Sequence, residues 1–189
     1  MKINLGAGPN ILNGYLNLDL YPSSSGERYG TQKVRCDLKN GLPLFDAFND
    51  PIRDIELITS CHFFEHLSHA DGLKLMKHCH EKLKEGGIFR LALPNFRTMI
   101  LGYLNEDWDF FDLVAYTAPN HQIMEIINAG LYQDIGTPEA HLCMYDIPFA
   151  VWTLQQAGFK NVKEVPYDNS IEPDWEIRRR YTFVVTGEK

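Results

Sequence analysis

Short apolar runs that alternate with helical patterns set the strongest limit on how this chain can fold. Runs typical of buried strands lie at residues 3–5, 15–20, 34–38, 54–61 and 88–93. Between the last two of them, residues 68–84 carry apolar side chains at helical spacing. A strand, a helix and a second strand in this order are typical of a parallel sheet, whose neighbouring strands need a crossover. The sequence therefore predicts an α/β domain with a doubly wound, mostly parallel sheet.

The two clearest helices have recognisable ends. Ser68 can cap the first helix, Asp71 stands in its first turn, and Gly86-Gly87 can stop it. The second helix is predicted over residues 146–157 and is closed by Gly158.

The second half of the chain is predicted to complete the sheet and to cover it. Strands at residues 159–165 and 181–186 can pair antiparallel at the sheet edge, since a long connection joins them. Residues 95–145 are rich in aromatic residues and histidine, and we expect short helices there that cover one edge of a pocket. The aromatic run at residues 108–111 is typical of helix packing, with stacking on a ligand as the alternative.

Length and charge narrow the class of protein. A chain of 189 residues is expected to form one domain, residues 1–189. The net charge of −7 argues against general binding to nucleic-acid phosphates. No apolar run approaches the roughly 18 residues of a membrane span, and no secretory leader is recognisable. We expect a cytoplasmic protein that acts on a small molecule, with no nucleic-acid or membrane partner; the oligomeric state stays open.

The spacing of the four cysteines is consistent with a cytoplasmic protein. Cys36, Cys61, Cys79 and Cys143 form no close pairs in the sequence. We interpret them as reduced thiols, with a disulfide pair as the alternative.

The stretch from Lys2 to Leu20 is typical of a nucleotide-binding edge. A short strand runs into Gly6-Ala7-Gly8, and glycines let backbone come close to a ligand. A second apolar run closes on Asp19, whose carboxylate can accept hydrogen bonds from ribose hydroxyls. We therefore expect this stretch to hold a nucleoside cofactor.

The spacing differs from that of a dinucleotide site. The nicotinamide-binding pattern is Gly-x-Gly-x-x-Gly with an acid about 20 residues further on. Here Ile11 stands at the third glycine position, and Asp19 follows Gly8 by only 11 residues. Residues 6–14 are also fewer than a usual crossover of about a dozen residues, so the first helix is predicted to be very short or missing. This favours a cofactor with a carboxylate over one with a pyrophosphate.

Several short motifs occur in a fixed order along nearly the whole chain. They are Leu5-Gly6-Ala7-Gly8-Pro9-Asn10, Asp19, Asp37-Leu38, Ser60 to Leu67, Leu83-Lys84-Glu85-Gly86-Gly87, Arg90 to Asn95 and Ala157-Gly158-Phe159. In this order they resemble the class I S-adenosylmethionine-dependent methyltransferases, in particular the type 11 methyltransferase domain. The chain departs from that family in Glu85, where the family has proline, and in its short first crossover. The resemblance implies a Rossmann-like methyltransferase fold with an antiparallel final strand and a shortened N-terminus.

The resemblance also implies a cofactor site for S-adenosylmethionine. Its predicted residues are Gly6, Ala7, Gly8, Asn10, Asp19, Leu20, Asp37, Leu38, Ser60, Cys61 and His62. The glycine turn would bind the methionine carboxylate through backbone N–H groups, and Asp19 would hold the ribose hydroxyls. Asp37 would accept from the adenine amino group, with Leu38 against the ring. The segment from Ser60 to His62 would line the pocket near the sulfonium.

Methyl transfer to an oxygen also needs a group that removes the acceptor's proton. Histidine is the natural base near neutral pH. His141 and His121 are the candidate catalytic residues, because both lie in the segment expected to cover the acceptor side. A packed or surface role for either is the alternative. Glu65 and His66 are further candidates, for the same task or for orienting the loop.

Other patterns suggest metal or anion binding. The run from His62 to His66 matches the His-x-x-Glu-His pattern of zinc peptidases, but it follows a buried strand instead of lying on a helix. His78-Cys79-His80 is a weaker cluster, because neighbouring helical residues point in different directions. A run of three arginines, Arg178-Arg179-Arg180, is typical of a solvated turn; the alternative is that it binds an acidic acceptor. We predict no metal site.

These observations leave functions from different classes. The first is S-adenosylmethionine-dependent methyl transfer to a small polar acceptor, such as a sugar or other hydroxyl compound. The second is a non-catalytic module that binds S-adenosylmethionine or another nucleoside and serves as a partner or regulatory domain. A nicotinamide dehydrogenase is a third hypothesis, which the spacing disfavours.

Overall fold

A seven-stranded sheet forms the centre of the computed structural model, which describes residues 1–20, 33–43, 51–114, 122–132, 140–173 and 176–189. Its strands are β1 (Lys2–Leu5), β2 (Leu16–Asp19), β3 (Lys33–Arg35), β4 (Ile55–Cys61), β5 (Leu83–Pro94), β6 (Lys160–Val165) and β7 (Thr182–Glu188). Their order across the sheet is β3-β2-β1-β4-β5-β7-β6.

Strand direction confirms the predicted fold class. Strands β1 to β5 pair in parallel, whereas β7 runs antiparallel to both of its neighbours, β5 and β6. The predicted antiparallel pairing of the last two strands is therefore confirmed, with β6 alone at that edge. Because β1 to β4 are parallel, their carboxyl ends meet at one edge of the sheet, where ligands bind in such folds.

The helices agree with the predictions in kind and differ at their ends. They are α1 (His69–Lys82), α2 (Phe96–Leu104), α3 (Trp108–Val114), α4 (Ile123–Tyr132), α5 (Ile147–Gln156) and α6 (Glu176–Tyr181). Ser68 caps α1 as predicted, since its Oγ accepts a hydrogen bond from the Asp71 backbone N–H at 3.2 Å. None of the described helices is long and apolar enough to cross a membrane.

The glycine pair after α1 serves the following strand, and the prediction that it stops the helix is wrong. Helix α1 ends at Lys82, and β5 begins directly at Leu83, so Gly86 and Gly87 lie inside the strand. A Cβ at Gly87 would stand 2.8 Å from the Lys84 carbonyl oxygen and 3.1 Å from that of Ile55. The missing side chain therefore lets the β5 backbone pass close to the start of β4.

Two apolar cores lie under the described helices. The larger packs α1 and α5 against the sheet and includes Ile3, Ile58, Met76, Phe89 and Leu154. The smaller lies beneath α2, α3 and α4 and consists of Met99, Phe110, Phe111, Ile126, Ile127 and Tyr181. Packing therefore accounts for the two phenylalanines of the 108–111 run, while Trp108 stays 39% exposed.

A buried asparagine closes the short return from β1 to β2, which contains no helix. The Asn17 side chain is fully buried, and its Oδ1 accepts hydrogen bonds from Leu12 N at 3.0 Å and Asn4 Nδ2 at 2.9 Å. Its Nδ2 donates to the carbonyl oxygens of Leu12 and Tyr15, both at 3.1 Å. Asn4 Nδ2 also donates to Asn10 O at 2.8 Å. Side-chain amides thus satisfy backbone groups that a crossover helix would otherwise satisfy.

The long connection from β6 to β7 is held down by a buried ion pair. Both guanidinium nitrogens Nε and Nη2 of Arg90 donate to the Glu172 carboxylate, at 2.7 and 2.8 Å. Glu172 is 1% exposed and also accepts from Asp168 N at 2.7 Å. Asn10 Nδ2 donates to Ile171 O at 3.2 Å, so the same connection also meets the glycine turn.

Replacing the closing amide should destabilise the whole domain. Asn17→Ala leaves the N–H and C=O of Leu12 and the Asn4 amide without their buried partner, so we expect the free energy of unfolding to fall by about 2–4 kcal/mol. Urea unfolding followed by circular dichroism measures this. The exposed Asn105→Ala is the matched control and should change stability by less than about 0.5 kcal/mol. Equal stability of the two variants would show that the amide network is dispensable.

Candidate functional site

A cavity of about 490 Å³ opens at the carboxyl edge of the sheet. Its size lies within the range of pockets that hold cofactors and substrates. The residues that line it come from the ends of β1, β2, β3 and β4; they are Gly6, Gly8, Pro9, Asp19, Leu20, Cys36, Asp37, Leu38, Lys39, His62, Phe63, His66 and Leu67. Three strand ends that are far apart in the sequence, near residues 6, 19 and 37, therefore converge on one space.

Most of the predicted cofactor residues lie on this cavity. Gly6, Gly8, Asp19, Leu20, Asp37, Leu38 and His62 line it. Ala7, Asn10, Ser60 and Cys61 are not among the described residues that line it.

These four residues have structural surroundings of their own. Ala7 is buried, and its N–H donates to Leu18 O at 3.1 Å. Ser60 is fully buried, and its Oγ donates to Leu5 O at 3.2 Å. Asn10 turns its side chain to Ile171. Burial raises the pKa of the Cys61 thiol to about 12, so this group is a neutral thiol at neutral pH.

The two acids at the strand ends also organise the backbone around them. Asp19 Oδ2 accepts a hydrogen bond from Gly8 N at 2.8 Å, which ties the glycine turn to the end of β2. The Asp37 carboxylate accepts from Lys39 N and from Asn40 Nδ2, both at 3.1 Å. It thereby caps a short 3₁₀ turn over Leu38–Asn40. Asp37 lies two residues beyond the end of β3, so the predicted strand 34–38 is shorter than expected.

The two glycines of the turn differ in what surrounds them. Both have positive φ, +59° at Gly6 and +47° at Gly8, a conformation that favours glycine. A Cβ at Gly6 would collide with the ring of Phe63, which packs directly on this glycine. A Cβ at Gly8 would meet no heavy atom within 4 Å. Gly8 therefore borders open space, while Gly6 provides room for an aromatic ring.

The two alanine variants should separate these roles. Gly8→Ala should lower the free energy of unfolding by about 1 kcal/mol, the cost of a left-handed residue with a side chain. Gly6→Ala carries the same cost and also displaces Phe63, so we expect a loss of about 2–4 kcal/mol. Chemical unfolding of both variants measures the difference. Equal losses would contradict close packing of Phe63 on Gly6.

His62, directly after β4, has a largely buried side chain and an unusual backbone conformation. Its φ is +51°, and its Nε2 lies 2.7 Å from Thr182 Oγ1 at the start of β7. Its Nδ1 contacts a guanidinium nitrogen of Arg178 and lies 3.4 Å from Glu65 Oε1. Burial, followed by the charge of Arg178, holds the pKa of His62 well below its usual value. The ring is therefore neutral at neutral pH, and Arg178 of α6 is part of this edge.

Three side chains beside the cavity form a compact polar cluster. Glu65 and His66 belong to a short 3₁₀ turn, Phe64–His66, and His141 comes from the segment before α5. One ligand-type atom from each lies within 4.8 Å of the other two. The rings of His66 and His141 meet edge to face with centroids 4.8 Å apart. His66 also lines the cavity, so the cluster adjoins the candidate cofactor space.

Burial changes the protonation of this cluster. Glu65 is 1% exposed, and burial raises the pKa of its carboxyl to about 8. Burial and the neighbouring His66 lower the pKa of His141 to about 4. His141 Nδ1 lies 2.8 Å from Gly130 O, and because a carbonyl only accepts, Nδ1 carries the proton. The neutral ring therefore has its lone pair on Nε2. The second candidate catalytic residue, His121, lies outside the described residues.

Some cavity residues were not predicted from the sequence. Phe63 and Leu67 line the space, whereas the prediction stopped at His62. The adjacent pair Phe63-Phe64 carried a signal, because one of two neighbouring aromatic residues in a turn commonly faces inward. Here Phe64 is fully buried, and Phe63 meets it edge to face with ring centroids 5.5 Å apart. Cys36 and Lys39 line the cavity because they flank Asp37.

Comparison with known proteins defines the fold class. No protein-family model matches the chain, and no curated protein matches its sequence. Solved structures do match. PigF with SAH has a TM-score of 0.57 and 12% identity, over 100% of this chain and 50% of that one. The S-adenosylmethionine-dependent methyltransferase SibL, in its apo form, has a TM-score of 0.57 and 14% identity, over 100% and 50%. A SAM-dependent methyltransferase from Archaeoglobus fulgidus has a TM-score of 0.53 and 14% identity, over 100% and 85%.

At these identities the likeness establishes the fold. The chain has the Rossmann-like fold of class I methyltransferases, with its antiparallel strand β7 and without a helix between β1 and β2. It spans about half the length of PigF and of SibL.

Proposed function

We propose that this chain binds S-adenosylmethionine in the cavity at the carboxyl edge and transfers its methyl group to a small polar acceptor. One observation carries the proposal: a glycine turn and two acids, from three different strand ends, line one space of about 490 Å³. Polar groups that converge at the carboxyl edge of an open α/β sheet are typical of a ligand site. The fold of SibL and of the Archaeoglobus fulgidus methyltransferase supports the same activity.

The residues present fit the parts of this cofactor. Gly8 borders open space and has a left-handed backbone, so main chain can approach the methionine end closely. Asp19 would accept from the ribose hydroxyls, while its Oδ2 holds the glycine turn through Gly8 N. Asp37 would accept from the adenine amino group, with Leu38 beside the ring. His62 and Phe63 would border the sulfonium. Within this proposal the chain is a type 11 methyltransferase domain, supported by the order of its motifs.

The acceptor would lie on the side of the cavity where His66 stands. S-adenosylmethionine, when bound, supplies a methyl group that leaves its sulfur as the bond to the acceptor forms. The work of the chain is then to hold acceptor and cofactor in line and to exclude water. His141 Nε2 carries a lone pair and would take the proton of an acceptor hydroxyl, although a pKa of about 4 makes it a weak base. The segment 95–145 would cover this side, as a proposal that includes residues outside the described ranges.

Loss of the Asp19 carboxylate should weaken cofactor binding. Asp19→Ala removes charge-assisted hydrogen bonds, so we expect a loss of roughly 1–3 kcal/mol in binding free energy. Isothermal titration calorimetry with S-adenosylmethionine measures it. The control is Glu164→Gln, an exposed acid on β6, which should leave affinity unchanged. Wild-type affinity in Asp19→Ala would remove Asp19 from the site, and no binding to the wild type would reject the proposal.

Turnover separates an enzyme from a binding module. Mass spectrometry should detect S-adenosylhomocysteine when the protein is incubated with S-adenosylmethionine and pooled small polar acceptors, sugars and other hydroxyl compounds included. Binding without turnover across such pools would favour the non-catalytic module. Binding of NADH in place of S-adenosylmethionine would favour a dehydrogenase.

A further inference from the structure

We propose that Glu65, His66 and His141 bind a divalent transition-metal ion of the zinc type, beside the candidate cofactor cavity. One ligand atom from each residue lies within 4.8 Å of the other two. Ligand atoms around a shared zinc ion, each at about 2.0–2.2 Å from it, stand somewhat closer than this, so modest side-chain rotations complete the site. None of the comparisons assigns a metal to this place in the chain.

The main chain holds the two segments of the cluster together. The Glu65 carbonyl oxygen accepts hydrogen bonds from Leu142 N at 2.7 Å and from Cys143 N at 3.1 Å. These bonds attach the segment that carries His141 to the turn that carries Glu65 and His66. The approach of the three side chains is therefore built into the backbone and does not depend on chance contact of long side chains.

The buried Glu65 side chain also points to a ligand at this place. It is 1% exposed, and neither of its oxygens makes a hydrogen bond within the described part of the chain. A buried carboxyl group without hydrogen-bond partners is costly and needs a physical reason. Coordination of a cation by one or both oxygens would compensate for the burial of this carboxyl group. His62 Nδ1 lies 3.4 Å from Oε1, but it makes no hydrogen bond to this oxygen, and the lowered pKa of His62 keeps its ring neutral.

His141 has the orientation of a metal-binding histidine. Its Nδ1–H donates to the Gly130 carbonyl at 2.8 Å, which fixes the ring and leaves the Nε2 lone pair for a ligand. Metal-bound histidines almost always donate their other ring N–H in this way, to a carboxylate, carbonyl or water. The contact therefore orients His141 from outside the cluster.

The donor set selects the class of metal. Two imidazoles and one carboxylate suit zinc, cobalt, nickel or iron, whereas magnesium and calcium prefer oxygen ligands. Three protein ligands leave a coordination position open, as in catalytic zinc sites. His66 also lines the cavity, so the metal would stand next to the acceptor side. Arg178, which contacts His62, is the neighbouring cation that opposes a metal charge.

Metal binding revises one role in the proposed function. A metal and a proton compete for the same lone pair on His141 Nε2, so in the metal-bound protein His141 is a ligand and no longer a base. It also revises the expectation of no metal site, which considered the run from His62 to His66 and the His78-Cys79-His80 cluster. The inference does not rest on methyl transfer, because metal binding is measured without S-adenosylmethionine.

The test is a cobalt(II) titration of the full chain after treatment with a chelator. We expect visible d–d absorption that grows to one equivalent and then stops, and zinc should abolish it by displacement. Glu65→Gln, which keeps the size of the side chain, and His141→Gln should each weaken cobalt binding at least about 100-fold, more than the loss of an outer partner costs. The matched control is His69→Gln, which removes a histidine that stacks on Trp152 and is not a member of the cluster; it should bind cobalt as the wild type does.

Thermal unfolding shows whether each variant is folded, so that loss of metal binding can be distinguished from loss of structure. Zinc should raise the melting temperature of the wild type and of His69→Gln, and it should not raise that of a folded Glu65→Gln protein. No stoichiometric cobalt uptake by the wild type would overturn the proposal. Equal uptake by Glu65→Gln, His141→Gln and the wild type would overturn it as well. Calorimetry with S-adenosylmethionine on the same samples reports on the proposed function separately.

Discussion

A buried amide holds together the part of the sheet on which the site depends. Asn17 pairs with both backbone groups of Leu12 and with the side chain of Asn4, so the chain returns from β1 to β2 without a helix. In most parallel pairs a helix satisfies the crossover backbone and packs on the sheet. Here the Asn17 side chain, inside the sheet, satisfies the backbone groups of the crossover. The glycine turn is thereby kept short and lies directly over the end of β2, where Asp19 binds Gly8 N.

One short turn joins the two halves of the candidate site. The segment after β4 places Phe63 on Gly6 and His66 on the cavity, while Glu65 turns inward and its carbonyl binds the 142–143 backbone. Neighbouring residues of a tight turn point in different directions, so a few positions can line the cavity, pack in the core and contact the segment that carries His141. The positive φ of His62 marks the point where the chain leaves the strand to make this turn.

Charge is distributed unevenly along this edge. One side carries Asp19 and Asp37, which line the cavity and accept hydrogen bonds from backbone N–H groups. The other side carries the buried Glu65 and the partly buried His62 and His141, and loss of solvent shifts the pKa of each group toward its neutral form. A carboxyl group with a raised pKa beside neutral imidazoles is a poor arrangement for stability alone. Such arrangements are typical of functional sites, where a bound ligand compensates for the unfavourable burial of polar groups.

The sequence by itself determined the class of fold and one side of the candidate site. Local patterns sufficed for the order of the strands, for α1 with its Ser68 cap and for the absence of a first helix, since each depends on neighbours in the chain. They did not give the end of β3 or the end of α1. The glycines and acids near residues 6, 19 and 37 could be placed together because carboxyl ends of parallel strands share an edge. Burial of Ala7 and Ser60 inside the sheet could not be read in this way, because it depends on what packs against each residue. The tertiary structure alone decided that Gly87 serves a close strand approach, that Asn17 replaces a helix and that His141 meets Glu65. These contacts join residues distant in sequence, and no local periodicity or propensity encodes them.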